Sequence, residues 1–176
     1  GSLGARTLNE NMMTHLDELR NSGVQVIWQT GKNYFEDIKS QLAENSPMPA
    51  LKPTDFIADM GAAYRAADLV ISRAGASSIS EFCLIGKPVI LVPSPNVAED
   101  HQTKNAMALV NRQAARFVKD AEATEKLIPM ALQTVNNDQT LAQLSHNIKQ
   151  MALRNSAETI ADEVIALAQA HAAKKR

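Results

Sequence analysis

The stretch Ser72-Arg73-Ala74-Gly75-Ala76-Ser77-Ser78-Ile79-Ser80-Glu81 has residue types suited to holding an anion and a sugar. It leaves the short apolar run Leu69-Val70-Ile71, and the residues after it take helical spacing. Gly75-Ala76-Ser77-Ser78 at a helix entry can turn backbone N–H groups and the positive end of the helix dipole toward a phosphate. Glu81 admits two readings. Ser78-Ile79-Ser80-Glu81 fits the capping box S-x-x-E, in which the carboxylate bonds back to the Ser78 backbone and stabilises the helix by about 1 kcal/mol. Alternatively the carboxylate points into a cleft and accepts both hydroxyls of a ribose, each charge-assisted bond contributing about 1.5–3 kcal/mol. The residues alone leave both readings open.

Three further segments carry related chemistry. Gly1-Ser2-Leu3-Gly4-Ala5 opens a helix, so its backbone can approach an anion; a tight turn with Ser2 as cap is the other reading. It is neither a G-x-G-x-x-G fingerprint nor a P-loop, which ends in Gly-Lys-Ser/Thr. In Glu99-Asp100-His101-Gln102-Thr103-Lys104-Asn105, Gln102 and Asn105 share a helix face, and their amides both donate and accept, which suits sugar hydroxyls. His101 beside Asp100 resembles an acid–base pair, but adjacent helical residues diverge, so a solvated histidine is the competing reading. Phe56-Ile57-Ala58-Asp59-Met60 can clamp a flat ring between apolar side chains while backbone groups bond its edge; otherwise Phe56 and Met60 are core. Asp59 is expected to cap the helix that follows.

These segments need a frame that gathers them. Leu8, Met12, Leu16 and Leu19 predict one helix stopped by Gly23. Short apolar runs at 24–31, 69–72, 87–95 and 114–120, with an extended piece near Leu51 or near Phe56-Ile57 inside a proline-rich loop, predict five strands, separated by helices over 32–45, 59–68, 75–86 and 106–113. Three helices follow, marked by Leu127, Met130, Ala131 and Val135, by Leu141, Leu144, Ile148 and Met151, and by Ile160, Val164 and Leu167, with Pro129 expected in a first turn. Non-alternating apolar strands joined by helices require a parallel sheet covered on both faces. The fold class is α/β, a Rossmann-like doubly wound parallel sheet, in which ligands sit outside the carboxyl ends of the strands. The four polar segments all fall at such ends. A glycine turn at Gly1 without an apolar run before it suggests that the first strand is missing from this chain.

The bulk numbers narrow the classes. One domain over residues 1–176, with the helices from about 124 to 176 packed on it, suits the length. A net charge of -1 argues against a nucleic-acid partner. The lone Cys83 excludes an internal disulfide, and no cluster of metal ligands stands out, so no metal or other cofactor is expected. No apolar run approaches a membrane span.

Taken in order, GSLGAR, FIADM, SRAGASSISE and EDHQTKNA resemble the carboxyl-terminal half of the MurG family of bacterial N-acetylglucosaminyltransferases. The resemblance covers essentially the whole chain. It implies one half of a GT-B glycosyltransferase, a hexosyltransferase that moves N-acetylglucosamine from UDP-N-acetylglucosamine (UDP-GlcNAc) to lipid I, giving lipid II for peptidoglycan. It also implies roles. Ser2 and Gly4 would face the diphosphate, Ile57 the uracil edge, and Ala76, Ser77 and Ser78 a phosphate. Glu81 would hold the ribose, Gln102 and Asn105 the N-acetylglucosamine hydroxyls, with His101 close by. The catalytic base, the lipid I site and the contact with the inner membrane's cytoplasmic face belong to the family's amino-terminal half, so this chain alone should bind donor without transferring it. The chain departs from the family in keeping only one of two leading glycines. It also has Ser77-Ser78 where a larger residue and threonine are frequent, and His101 where some members have glutamine.

Three rival readings keep parts of this picture. A donor-binding subunit of a two-chain transferase retains the domain and changes its partner. A UDP-sugar 2-epimerase retains the architecture but needs acid–base groups that these segments supply sparsely. A non-catalytic nucleotide-binding module retains Glu81 on a ribose without sugar chemistry.

Overall fold

The computed structural model describes residues 4–45, 47–96 and 100–173. Helices α1 (Arg6–Thr14) and α2 (Leu16–Asn21) lead to β1 (Val26–Gln29) and α3 (Phe35–Ala43). Then follow β2 (Leu51–Thr54), α4 (Met60–Ala66), β3 (Val70–Ser72), α5 (Ala76–Ile85), β4 (Val89–Leu91), α6 (His101–Val110) and β5 (Arg116–Phe117). A 3-10 turn (Asp120–Glu122) precedes α7 (Ala123–Val135), α8 (Asp138–Lys149) and α9 (Ser156–Ala173). The expected five strands and their intervening helices are present, the second at Leu51–Thr54 and not at Phe56-Ile57, and every strand pair is parallel.

The ladder comes in two groups, β1-β2 and β3-β4-β5, rather than as one continuous sheet. Within each group consecutive strands are neighbours, as parallel strands joined by helical crossovers allow. Side chains join the groups. Helix α7 contributes Ile128 to the cluster of Met12, Leu16, Trp28, Ile38 and Leu51, and Leu127 and Ala131 to the cluster of Ile90, Val92 and Val118. Helix α1 packs along α7 and likewise touches both clusters, through Met12 and Leu8. Strand β4 is buried on both faces. Val89 and Leu91 meet Phe82 and Cys83 of α5, Leu109 of α6 and Ile148 of α8, while Ile90 and Val92 turn to α7.

Three local expectations are corrected. The first helix breaks at His15, where φ is -108 and ψ is 23. The His15 ring places Nδ1 2.9 Å from the Asn11 carbonyl, a contact that requires the proton on Nδ1, and it competes there with the backbone N–H. Pro129 lies in the interior of α7, not its first turn, because the helix starts at Ala123. Burial of Leu127, Ile128 and Ala131 on α7 offsets the lost backbone hydrogen bond. Finally, α7 and α8 pack on the sheet layers, but every described residue from 153 to 171 is exposed, so α9 leaves Ile160, Val164 and Leu167 in solvent.

The buried face of α1 also holds polar residues that its apolar spacing did not announce. Asn9 donates to the Thr30 carbonyl at 2.8 Å and accepts from the Trp28 indole at 3.0 Å, and Asn11 donates to the Ala123 carbonyl. These bonds fix α1 against the end of β1 and the start of α7.

Candidate functional site

The segment after β3 and the start of α6 come together through a set of side-chain bonds at the carboxyl ends of β3, β4 and β5. Arg73, just beyond β3, donates to the Val92 and Pro93 carbonyls at 3.1 Å each and pairs with Asp120 beyond β5. Asp120 also accepts from the Thr7 hydroxyl at 3.0 Å, which ties the start of α1 to the same point. Gln102 and Asn105 share a face of α6, as their spacing predicts, and both reach Ala74. Gln102 Oε1 accepts from the Ala74 and Ser94 N–H groups at 3.2 and 2.9 Å, and Asn105 Nδ2 donates to the Ala74 carbonyl at 3.1 Å. Each amide therefore uses one end to fix the turn after β3 and keeps the other end for a further partner.

That turn feeds α5. Gly75 is its N-cap, with extended backbone (φ -68, ψ 143), and no side chain caps the helix. Ser78 lies inside the helix rather than at its start, so it cannot form a capping box with Glu81. The cap reading of Glu81 fails because the helix begins at Ala76, three residues earlier than the S-x-x-E pattern requires. The first N–H groups of α5, beside exposed Ala76 and Ser77 and half-buried Ser78, have the geometry of an anion site.

Glu81 is exposed, and Oε2 accepts from the Tyr64 hydroxyl of α4 at 3.0 Å. The Tyr64 ring meets Phe82 edge-on, with centroids 5.7 Å apart at 82°. Burial, then the hydrogen bond to Glu81 and its charge, push the Tyr64 phenol up to about 12. The hydroxyl therefore stays a donor across the physiological range. Sequence spacing gave no sign of this pair, since 17 residues and a strand separate its members.

On the other group of strands, the Ile57 N–H donates to Gln29 Oε1 at 3.0 Å, so Gln29, at the end of β1, fixes the segment after β2. The Ile57 carbonyl is the backbone group left to meet a ring edge. Phe56 is 49% exposed, which rules out the core reading for its ring. Asp59 caps α4 as expected, accepting from the Ala62 N–H at 2.8 Å.

Gly4 has φ +87, and a Cβ there would lie 2.3 Å from the Thr30 carbonyl oxygen. Its place in the turn ahead of α1 thus depends on the absence of a side chain. Ser2 and Glu99 lie outside the described residues. His101 is exposed at the first position of α6, after Asp100 in the left-handed region at φ 55. Among the described residues, no group of three His, Cys, Asp or Glu could hold a metal ion.

Residues 1–160 match the family described as the glycosyltransferase family 28 C-terminal domain. The UDP-N-acetylglucosamine–N-acetylmuramyl-(pentapeptide) pyrophosphoryl-undecaprenol N-acetylglucosamine transferase of Bacteroides fragilis is 62% identical over 170 residues. The protein of the same name from Phocaeicola vulgatus is 60% identical over 168 residues. Each alignment covers 96% of this chain and 45% of the relative, so the chain spans somewhat under half the length of these relatives. The crystal structure of Acinetobacter baumannii MurG superposes with a TM-score of 0.78 at 30% identity, over 94% of this chain and 50% of that one. The resemblance carried by the four motifs and the α/β expectation are both borne out. By its match over residues 1–160 and by its parallel, doubly wound architecture, the chain belongs to the glycosyltransferase family 28 C-terminal domains.

Proposed function

We propose that this chain is the donor-binding half of an inverting hexosyltransferase that moves N-acetylglucosamine from UDP-GlcNAc to lipid I, giving lipid II. The observation that carries the reading is the start of α5, where an uncapped helix N-terminus and a solvent-facing carboxylate sit one and a half turns apart on one element. A nucleoside diphosphate presents an anion and a ribose diol at a matching separation. The N–H groups of residues 76–78, with the Ser77 and Ser78 hydroxyls, take a phosphate. Glu81 takes the ribose hydroxyls, the Ile57 carbonyl takes the uracil N–H, and the outward ends of Gln102 and Asn105 take the sugar. His101 lies at the same mouth, beside Gln102.

In the transfer, an acceptor sugar hydroxyl attacks the anomeric carbon, the bond to the diphosphate oxygen breaks, and UDP leaves. The charge that develops on the diphosphate meets N–H groups and a helix dipole already aimed at it, which lowers the barrier without reorganisation. The general base and the acceptor site are assigned to the other half of the enzyme. That half also carries the contact with lipid I and with the cytoplasmic face of the bacterial inner membrane. No described helix of this chain is long and apolar enough to cross a membrane.

The test is Glu81→Gln. It should weaken UDP and UDP-GlcNAc by roughly tenfold or more, the loss expected for a charge-assisted bond, while the unfolding midpoint stays within about 2 °C because Glu81 caps nothing. Unchanged affinity for both ligands contradicts the assignment of the ribose to Glu81.

A further inference from the structure

The Tyr64 ring packs against the core, but its hydroxyl and the Glu81 carboxylate meet at the surface. Glu81 is exposed, and Tyr64 reaches it from a different helix, across the whole of β3. The two contacts of Tyr64 fall on consecutive residues of α5. Its ring leans edge-on against Phe82, which is 1% exposed and so fixed in the core, and its hydroxyl donates to Glu81 Oε2 at 3.0 Å. Phe82 sets where the phenol ring can lie, and the ring sets where the hydroxyl is. An exposed glutamate otherwise samples several rotamers, and ordering such a side chain on binding costs about 0.5–1.5 kcal/mol.

We propose that Tyr64 is a positioning residue for ribose recognition: its hydroxyl holds one oxygen of the Glu81 carboxylate and leaves the other oxygen for the ribose hydroxyls. This inference rests on the assignment of Glu81 to the ribose. A carboxylate accepts at about four lone-pair sites, so one bond to Tyr64 leaves enough capacity for a diol. Tyr64 also sits on the helix that begins at the Phe56–Met60 segment, so the element carrying the base-binding backbone also holds the carboxylate for the sugar of the same nucleoside.

The experiment measures binding of UDP, and of the UDP analogue lacking both ribose hydroxyls, to the 176-residue chain and to Tyr64→Phe, Glu81→Gln and the double variant. Phenylalanine keeps the edge-on contact with Phe82, and near-ultraviolet circular dichroism checks that packing. Tyr64→Phe should weaken UDP by roughly three- to tenfold, the range for losing one net hydrogen bond, and leave the analogue within about twofold. In the Glu81→Gln background the same change should have little further effect on UDP, because the two residues act as one unit. Equal weakening of both ligands by Tyr64→Phe, no weakening of either, or additive losses in the double variant overturns the inference while leaving Glu81 on the ribose. If Glu81→Gln still prefers UDP over the analogue as strongly as the parent chain does, the ribose assignment itself fails, and the role of Tyr64 fails with it.

Discussion

Tyr64 keeps its proton well above the usual phenol range, at about 12 against an ordinary 10, chiefly because burial disfavours the phenolate and then because Glu81 accepts its hydrogen and repels its charge. A phenol that is harder to ionise in the folded than in the unfolded chain binds more protons when folded between those two values. Its contribution to stability is therefore complete below about pH 10 and is lost as pH rises toward about 12. Denaturant unfolding across that window should show the parent chain losing more stability than Tyr64→Phe. Equal losses would mean that the phenol is not shielded in this way. At this scale the sequence showed the candidate residues but not the bonds that hold them. Ser77, Ser78 and Glu81 stand in one readable stretch, and Gln102 and Asn105 follow from helical spacing. Tyr64, Gln29 and Asp120 do not, because each reaches its partner across strands through tertiary packing that no local pattern encodes. Arg73 was visible inside the serine-rich stretch, but its role depends on carbonyls about 20 residues away.

At the scale of elements, the turn ahead of α1 depends on one backbone angle. Gly4 at φ +87 lets the chain pass close under the Thr30 carbonyl, and Asn9 on the next turn of α1 bonds that same carbonyl. Gly4→Ala should destabilise the fold by about 3 kcal/mol or more, combining the cost of a left-handed non-glycine residue with a steric clash against backbone. A loss below about 1 kcal/mol in chemical denaturation would show that the turn can shift. Four of the strands were legible as apolar runs, whereas β2 lies in a proline-rich loop that offered two extended pieces, and only the one at Leu51 pairs. Boundaries were less legible. The His15 ring interrupts a helix whose apolar spacing continues unbroken, and α7 runs through Pro129 because its buried face outweighs the missing hydrogen bond. The S-x-x-E pattern left Glu81 open because it marks a helix start only when the start falls on its serine, and here the glycine turn begins the helix earlier.

At the scale of the molecule, two groups of parallel strands are held together by side chains of α1 and α7, and the residues proposed to bind the donor lie beyond strand ends of both groups. The turn after β3 is fixed by Arg73, Gln102 and Asn105, so the proposed phosphate site at the start of α5 rests on a turn held by the protein's own bonds. The overall architecture was legible because apolar, non-alternating strands joined by helices admit few topologies. The division of the ladder was not, because it depends on which strands neighbour each other in space. The most direct test of donor binding is calorimetric titration of the chain, shown beforehand to unfold cooperatively, with UDP-GlcNAc, UDP and NAD in parallel. Saturable binding of both uridine ligands, each tighter than NAD, is the expected result; tighter binding of NAD, or no binding of either uridine ligand by the folded chain, would contradict it.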